Sequence, residues 1–517
     1  MDVNKVIIIG LDGATWDIII PWANKGELPT FKKLLDNGIY GDLRSTVPWA
    51  TLPAWPSFAT GVNPGKHGLF DFLKINENYE MDMVLKPSEA IKKATLWNIL
   101  SLADKRVGLI NIPTTYPPKP VNGYMITGML TSSDNYTFPK NLKNKLKEKY
   151  GHDFSFYSES GKNVDKFFNS LIDQLGQRTE IFLDFMEKNL DFLMMVDNGT
   201  DRVQHECWKY IDKNNPLYDE QNVRKHGNPI LRYYKHVDKF LSVVLNKMDK
   251  NTILFLMSDH GQGPLRKFIN INSFLIDEGY MKIKKNLVSY LRYALFKAGF
   301  SPKNVYQFLR IFGIERKVSK EMRRKNKISL TNRFFFSSGD IDWNKTKAFA
   351  SGVTGGIRLN VKGREKHGIV NLGNEYDDLR EDIIKKLEAL KDQKNGKNVV
   401  KFAEKREKIY SGDYVDEAPD IIATAKGYYE FFGMHGFTFN KVIEDTFVNS
   451  GKHTPEGIIL LYSEQLKGGT KIEGASILDI FPTVLYLLDQ KIPDYIDGKI
   501  LEKAFSKSNF NDDVIIR

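Results

Sequence analysis

Five short apolar segments alternate with longer segments in which apolar residues recur every three to four positions. Segments that are apolar throughout and this short are typical of strands buried on both faces of a parallel sheet. The helical patterns between them, for example at 164–187 and 229–249, predict helices on both faces of that sheet. The pattern predicts an α/β fold with a mostly parallel central sheet. The five segments are 5–10 (KVIIIG), 106–111 (RVGLIN), 191–196 (DFLMMV), 252–258 (TILFLMS) and 456–462 (EGIILLY).

The alternation stops near residue 283. From there to about residue 340 the chain is basic, helical in pattern and poor in strand signals. Strand signals then return at "KAFASG" and "GIRLNV", followed by a helical pattern at 377–392. We therefore predict an α/β core formed by residues 1–282 and 436–505, an inserted cap at 283–435 and a frayed tail at 506–517.

Composition excludes several classes of protein. The chain has 517 residues, of which 41% are hydrophobic, so it is long enough for a large core and unlike a disordered segment. A single cysteine, Cys207, excludes an internal disulfide framework. The first apolar run is too short for a signal peptide, and no run reaches the roughly 20 residues of a membrane helix. These features predict a cytoplasmic protein.

The net charge of +11 is concentrated locally. Residues 282–327 contain fourteen Lys and Arg but only two acidic residues, with apolar residues between them. Amphipathic helices with solvated basic faces are one interpretation. The other interpretation is a surface that attracts a phosphorylated substrate or anionic lipid. In the case of lipid, residues 282–327 would form a peripheral contact with an anionic membrane. No nucleic-acid-binding motif is present, and we expect no nucleic-acid partner.

Carboxylate and imidazole side chains lie next to the predicted strands. In an open parallel sheet, ligands bind at the carboxyl ends of strands, so these side chains are candidates for one site. Asp201 and His205, four residues apart, would share one face of a helix. The candidates are Asp12 after the first strand, Asp201 and His205 after the third, Asp259 and His260 after the fourth, and His453 just before the fifth.

Each of these motifs alone has an ordinary explanation. Asp-Gly after a strand is usually a turn, an Asp and a His four apart are often a solvated pair, and "SDHG" could cap a helix. Three carboxylates and three histidines at the same edge of a sheet instead indicate a site for divalent metal ions. Asp and His ligands favour zinc, with manganese or iron as alternatives.

Thr51 opens the stretch "TLPAWPSFATG", in which Pro53 fits the first turn of a helix. Two ions about 4 Å apart can hold both the attacking and the leaving oxygen of a displacement at phosphorus. A hydroxyl activated by a metal can act as the nucleophile. The helix N-terminus would favour a phosphate oxygen. The alternative is a threonine that only caps the helix.

These motifs together resemble the type I phosphodiesterase/nucleotide pyrophosphatase family, in its prokaryotic branch, of the alkaline phosphatase superfamily. The resemblance is carried by "VIIIGLDG", "TLPAWPSFATGVNPGKHGL", "DRVQH", "SDHG" and "GKHTPEG", which occur in the family's order. It extends to the C-terminal "ILDIFPTVLYLLDQKIPDYIDGKIL" and covers most of the chain. The resemblance implies an alkaline-phosphatase-like three-layer α/β/α fold with an inserted cap.

The resemblance also implies roles for the candidate residues. Thr51 would attack phosphorus and form a phosphothreonine intermediate, which an activated water would then hydrolyse. Two zinc ions would be held by two sets of ligands. Asp12, Asp259, His260 and Thr51 would hold the first ion, and Asp201, His205 and His453 would hold the second.

Ala54 marks a departure from the family pattern. Many nucleotide pyrophosphatases have Asn at this position, three residues after the nucleophile, so the departure argues against nucleotide substrates more than against phosphoester chemistry. Donors to the phosphoryl oxygen could instead come from Asn63, Lys66, Lys452 or Thr454. His67 is expected to be part of a structural turn.

The resemblance predicts a phosphodiesterase or nucleotide pyrophosphatase and leaves alternatives on the same two-metal core. These are a phosphomonoesterase, a phosphonate hydrolase and a transferase of a phospho group. A metal-stabilised binding protein without activity is a further alternative. The expected partner is a phosphorylated small molecule or a lipid-linked phosphate, to which the basic cap contributes.

Overall fold

The computed structural model describes residues 3–151, 153–156, 163–311, 334–433 and 437–505. The predicted tail at 506–517 and part of the basic stretch at 282–327 lie outside these residues. Within them the strands, numbered in chain order, are β1 (Lys5–Leu11), β2 (Ile39–Arg44), β3 (Leu73–Ile75), β4 (Met81–Met83), β5 (Val107–Ile112), β6 (Gly123–Thr127), β7 (Thr137–Phe138), β8 (Phe192–Asp197), β9 (Thr252–Met257), β10 (Gly261–Pro264), β11 (Lys267–Asn270), β12 (Ala348–Ser351), β13 (Gly356–Leu359), β14 (Val400–Lys405), β15 (Ile421–Ala425), β16 (Tyr429–Phe432), β17 (Ile443–Asp445), β18 (Gly451–Thr454), β19 (Glu456–Tyr462) and β20 (Thr470–Ser476).

Helices separate most of the strands of the large sheet. Those within the described residues are α1 (Trp16–Asn24), α2 (Pro29–Asn37), α3 (Thr51–Thr60), α4 (Pro64–His67), α5 (Pro87–Ala90), α6 (Leu96–Leu102), α7 (Leu142–Tyr150), α8 (Val164–Met186), α9 (Gly199–Cys207), α10 (Glu220–His226), α11 (Pro229–Lys247), α12 (Ile271–Asp277), α13 (Leu287–Lys297), α14 (Pro302–Ile311), α15 (Asn374–Glu388), α16 (Arg406–Ile409) and α17 (Ile480–Leu487).

The central sheet has nine strands in the order β20–β2–β19–β9–β1–β8–β5–β6–β7. Neighbouring strands from β9 through β6 pair in parallel, as do β2 and β20. Strands β19 and β7 run antiparallel to their neighbours. The prediction of an α/β fold with a mostly parallel sheet is confirmed, and all five predicted strands lie in this sheet.

The sheet is buried on both faces. Along β1, Ile7, Ile9 and Leu11 belong to one apolar cluster, while Val6 and Ile8 belong to another. The first cluster includes residues of α8 and α11, and the second includes residues of α3 and α17. Because side chains of a strand alternate between faces, this division marks three layers, with helices on either side of the sheet.

Residues beyond the central sheet form smaller sheets. The order β12–β13–β15–β14 makes a four-stranded sheet within residues 348–425, and α15 covers an apolar cluster that includes Ile383 and Leu387. A three-stranded sheet, β16–β11–β17, joins residues 267–270 to residues 429–445. The boundaries of core and cap at residues 283 and 435 stay a prediction.

Candidate active site

The candidate residues meet at the carboxyl edge of the three central strands β9, β1 and β8. Asp12 directly follows β1, and α9, which carries Asp201 and His205, begins two residues after β8. Asp259 and His260 lie in a bend between β9 and β10. Strand β18 pairs antiparallel with β10, so that His453 lies opposite Gln262. The fold thereby brings together residues separated by up to 441 positions of the sequence, from 12 to 453.

One group consists of Asp12, Asp259 and His260, which are inaccessible to solvent. His260 Nε2 lies 3.7 Å from Asp12 Oδ1 and 3.3 Å from Asp259 Oδ2. The other oxygen of each carboxylate is held by a donor: Trp55 and Asn198 donate to Asp12 Oδ2, and the Gly13 N–H donates to Asp259 Oδ1. One oxygen of each carboxylate therefore remains directed toward His260.

The second group consists of Asp201, His205 and His453. Asp201 Oδ1 lies 3.2 Å from His205 Nε2 and 3.3 Å from His453 Nε2. The two histidine Nε2 atoms are 2.9 Å apart. Asp201 and His205 share one face of α9, as their spacing predicts. The two groups are in contact, because the rings of His260 and His453 stack with centroids 3.7 Å apart.

Backbone carbonyls set the orientation of two of these imidazoles. His205 Nδ1 lies 2.8 Å from the Gly451 carbonyl oxygen, and His260 Nδ1 lies 3.1 Å from the Gly261 carbonyl oxygen. A carbonyl only accepts, so in each ring Nδ1 carries the proton and donates it. Nε2 is then the atom that faces the carboxylates, and in the neutral ring it carries the lone pair with which a histidine binds a metal.

Thr51 is the first residue of α3 and is buried. Ala50 occupies the capping position with extended backbone, so the alternative of Thr51 as the helix cap is wrong. The Thr51 Oγ1 atom lies 3.3 Å from His260 Nε2. The N–H groups of Thr51 and Leu52, in the first turn of the helix, have no intrahelical acceptor and can donate to an anion beside the hydroxyl.

Burial and mutual repulsion perturb the carboxylates. Burial, followed by the charges of Asp259 and Asp201, raises the pKa of Asp12 well above its usual range. Burial raises the pKa of Asp259 to about 7. Burial also acts to raise the pKa of Asp201, but His205 and His453 outweigh it and the pKa lies well below its usual range. A cation between these groups would relieve the repulsion.

One oxygen of each of the three carboxylates bears on whether these residues fit a metal. Asp12 Oδ1, Asp201 Oδ1 and Asp259 Oδ2 are all buried and have no hydrogen-bond donor. Buried carboxylate oxygens are otherwise almost always satisfied. Each lies on the side of its carboxylate that faces a histidine Nε2, and carboxylate oxygen with imidazole nitrogen is a suitable donor set for a divalent ion. The residues therefore fit two such ions.

Several supporting residues were missed in the sequence. Trp55 lies one helical turn after Thr51, which is the spacing that could have indicated its contact with Asp12. Asn198 directly follows β8 and so obeys the same strand-end rule as the predicted residues. Asn111 Nδ2 donates to Asn198 Oδ1 over 2.7 Å, which orients the amide that holds Asp12. No sequence pattern indicates this last contact.

The candidate donors to a phosphoryl oxygen lie in different surroundings. Ala54 is part of the apolar cluster under α3 and can offer no donor. Asn63 and Lys66 both bond to Asp497, and His67 bonds to Ser57, so these three serve local structure. Lys452 and Thr454 flank His453 and line a cleft of about 390 Å³ together with Trp49 and Lys401.

The sequence matches the family model of type I phosphodiesterase / nucleotide pyrophosphatase over residues 6–453. The chain belongs to this family. A human relative, ectonucleotide pyrophosphatase/phosphodiesterase family member 1, is 21% identical over 285 residues. The match covers 54% of this chain but only 26% of that relative, so the chain aligns with about a quarter of its length. The family predicted from the motifs is confirmed, and the expected phosphoester hydrolase class agrees with it.

Solved structures share the fold. Murine ectonucleotide pyrophosphatase / phosphodiesterase 5, in an inactive form in complex with AMP, has a TM-score of 0.52 at 12% identity. The alignment covers 95% of this chain and 96% of that one. Phosphonoacetate hydrolase from Sinorhizobium meliloti 1021, in complex with phosphonoformate, has a TM-score of 0.53 at 12% identity, covering 94% and 96%. At this identity the likeness establishes the fold alone, and it confirms the alkaline-phosphatase-like architecture.

Proposed function

We propose that the protein is a phosphoester hydrolase of the phosphodiesterase/nucleotide pyrophosphatase type, dependent on two divalent metal ions. The observation that carries this proposal is the position of the Thr51 hydroxyl, 3.3 Å from His260 Nε2 at the start of α3. It faces one Asp/Asp/His group and adjoins the Asp/His/His group. Membership in the family supports the same assignment.

In this proposal Asp12, Asp259 and His260 hold one ion, and Asp201, His205 and His453 hold the other. We propose zinc, because Asp and His donors suit it. The ions supply positive charge that lowers the pKa of a hydroxyl and stabilises charge on the phosphoryl oxygens. Equilibration with zinc and with manganese, followed by elemental analysis, would identify the preferred metal.

Thr51 performs the covalent step. Its Oγ1 releases its proton to solvent and forms a bond to phosphorus while the bond from phosphorus to the leaving oxygen breaks, which gives phosphothreonine; the departing oxygen takes up a proton from solvent. The free N–H groups of Thr51 and Leu52 are directed to the same phosphoryl group and stabilise its negative charge. The oxygen of a water molecule then bonds to phosphorus as the bond from Thr51 Oγ1 to phosphorus breaks, and a proton of that water restores the Thr51 hydroxyl.

The cleft beside His453 is suited to the part of the substrate that does not react. Trp49 provides a ring, and its Nε1 donates to the His453 carbonyl over 3.1 Å, which fixes the ring next to the site. Lys401 lies over that ring at 5.4 Å from its centroid. Asp17, Asp42 and Glu456 line the same cleft. This mixture of charges favours a polar leaving group of small-molecule size.

The proposed function is tested by hydrolysis of a chromogenic phosphodiester and its matching monoester, with phosphonoacetate as a third substrate. The wild type is expected to prefer the diester. Thr51→Ala is expected to lose at least about a hundredfold in kcat, because the nucleophile is gone. Thr51→Ser retains a primary hydroxyl at the same position and is the matched control, expected to keep most of the activity.

Mass spectrometry of acid-quenched turnover should find a phosphoryl adduct on the peptide that contains Thr51. Activity of Thr51→Ala equal to that of wild type, with metals bound, would exclude the threonine as the nucleophile. Preference for the monoester or for phosphonoacetate would instead support one of the alternatives on the same metal core. Absence of turnover on all three substrates by zinc-loaded protein would favour a binding protein.

A further inference from the structure

Helix α13 exposes its apolar side chains. Leu287, Leu291 and Leu295, spaced four residues apart, are 84%, 58% and 43% exposed, and Val288 and Tyr290 are also exposed. Residues at this spacing form one stripe along a helix. Ala294 of the same helix and Ala298 directly after it are exposed. Among the exposed residues from 287 to 298, Lys297 is the one that carries a charge. A surface helix normally has the opposite arrangement.

The inner face of α13 explains why the helix is held in this orientation. Ser289 is buried, and its hydroxyl donates to Asp340 over 2.8 Å. Arg292 forms an ion pair with the same carboxylate at 3.1 Å. Phe296 is buried and packs on Phe336 and Phe437. Specific polar and aromatic contacts thus fix the inner face, so the apolar outward stripe is not free to rotate into the core.

A basic cluster adjoins the start of this stripe. Lys282, Lys284 and Lys285 are exposed just before α13 begins. Across the ranges that the structure describes, no carboxylate lies within ion-pair distance of these three lysines. Each lysine near an anionic membrane surface contributes about 1 kcal/mol to binding. No described helix is long and apolar enough to cross a membrane.

We propose that α13 is a peripheral docking surface for an anionic lipid bilayer, with Leu287, Leu291 and Leu295 inserted at the level of the headgroups. Large exposed apolar patches on a protein surface mark sites of interaction. The adjoining lysines select anionic lipid as the occupant, because an apolar stripe with basic residues beside it is the pattern of helices that lie in the bilayer interface. A second copy of the chain would bring two uncompensated lysine clusters toward each other.

The test is co-sedimentation with vesicles made of phosphatidylglycerol and phosphatidylcholine in equal parts, compared with phosphatidylcholine alone. The wild type is expected to bind the anionic vesicles, and added salt is expected to weaken binding. The triple variant Leu287→Gln, Leu291→Gln, Leu295→Gln is expected to bind about tenfold less or worse, because three apolar side chains no longer enter the interface.

The chain offers a matched control. Leu102 and Leu372 are 86% and 72% exposed but are isolated leucines outside α13, so Leu102→Gln with Leu372→Gln should leave vesicle binding unchanged. Changing Lys282, Lys284 and Lys285 to Gln should lower binding to anionic vesicles by about fivefold for each lysine. Turnover of a soluble chromogenic ester should be unaffected in all of these variants, because none of them alters the metal-facing residues.

Equal binding of wild type and the triple leucine variant would overturn the proposal, as would absence of binding by the wild type. Light scattering in the absence of vesicles measures the molecular mass of the protein and shows whether a second copy of the chain covers α13 instead. A dimer that dissociates in the triple leucine variant would assign the stripe to contact between two copies and would also overturn the proposal. Circular dichroism of the variant distinguishes loss of docking from loss of the helix.

Discussion

At the scale of single residues, Gly13 supports the site in a way that a side chain would prevent. Its φ is +66°, and a Cβ at this position would lie 2.6 Å from Gln262 Oε1 and 3.0 Å from Asp201 Oδ1. Gly26 has a similar φ of +77° with no atom within 4 Å of a Cβ. A substitution at Gly26 therefore adds only backbone strain, whereas one at Gly13 adds the same strain and a steric clash.

We predict that Gly26→Ala costs about 1–2 kcal/mol of unfolding free energy, the cost of a left-handed backbone for a residue with a Cβ. Gly13→Ala should cost roughly 1–3 kcal/mol more, since Gln262 and the helix that carries Asp201 must move. Urea unfolding of the metal-free proteins measures both values. Equal losses for the two variants would show that the contacts around Gly13 carry no energetic weight.

The grouping of the proposed metal ligands could be predicted because each lies beside a recognisable strand. Asp12 and Asp259 follow apolar runs, and the edge where parallel strands end is where ligands bind. The residues that support them could be predicted only in part, because Trp55 and Asn198 lie at recognisable positions and Asn111 does not. The contact of Asn111 with Asn198, which in turn donates to Asp12, depends on the relative height of β5, β8 and β1, which the sequence does not encode locally.

At the scale of elements, the buried strands were recognisable and the edge strands were not. Strands β1, β8 and β9 are buried at nearly every position, so their sequences are continuously apolar. Strand β20 reads TKIEGAS and is mostly exposed, and β7 has two residues, so neither gives a periodic signal. The antiparallel direction of β19 depends on the path of the chain and not on its own composition.

Below the site, a buried ion pair joins β8 to the helices that cover it. Arg178 of α8 lies 3.2 Å from Asp197 Oδ1, and Tyr233 of α11 donates to Asp197 Oδ2 over 2.8 Å. Burial is the main influence on the Asp197 pKa, which remains raised despite Arg178 and Tyr233. Asp197 therefore connects β8 to α8 and α11, and its buried carboxylate is stabilised by Arg178 and Tyr233.

We predict that Arg178→Met lowers the unfolding free energy by about 3–5 kcal/mol at neutral pH, because it leaves Asp197 buried without a countercharge. The matched control is Arg224→Met, which removes an exposed pair with Glu220 and should cost no more than about 1 kcal/mol. Denaturant unfolding measures both. A loss in Arg178→Met no larger than in Arg224→Met would contradict this account.

The loss in Arg178→Met should also depend on pH. Without the arginine the Asp197 pKa rises further above its ordinary value of 3.8, so the folded variant binds a proton that the unfolded chain releases. For a carboxyl group whose pKa is higher in the folded than in the unfolded protein, the free energy of unfolding falls as the pH rises from the unfolded pKa to the folded pKa. The difference between variant and wild type should therefore be largest at neutral pH and narrow toward pH 4.

At the scale of the whole molecule, the proposed ions join distant parts of the chain. One group links residue 12 to residues 259 and 260, and the other links residues 201 and 205 to residue 453. Without cations, the buried carboxylates of Asp12 and Asp259 lie within 4.8 Å of each other and the charge of Asp201 adds to their repulsion, which opposes folding. The boundaries of core and cap at residues 283 and 435 stay a prediction, and β11 of the predicted core pairs both with β16 of the predicted cap and with β17 beyond it.

We predict that a chelator lowers the melting temperature of the wild type by at least about 5 °C and that zinc or manganese restores it, because an ion that binds only the folded state stabilises it. Differential scanning calorimetry with and without EDTA measures the change. A melting temperature that EDTA leaves unchanged, in protein that elemental analysis shows to have lost its metal, would mean that the ions do not contribute to folding.

Asp12→Asn separates the two contributions to this change. The variant removes one of the repelling carboxylates, so its metal-free form should melt at or above the metal-free wild type. It also removes a ligand, so the increase on adding metal should be smaller than in wild type. Both results together require that the same carboxylate opposes folding without cations and supports it with them. The metal-free variant could instead melt well below the metal-free wild type. The hydrogen bonds from Trp55 and Asn198 to Asp12 would then outweigh its repulsion by the other carboxylates, and protein groups would stabilise the Asp12 carboxylate without a metal ion.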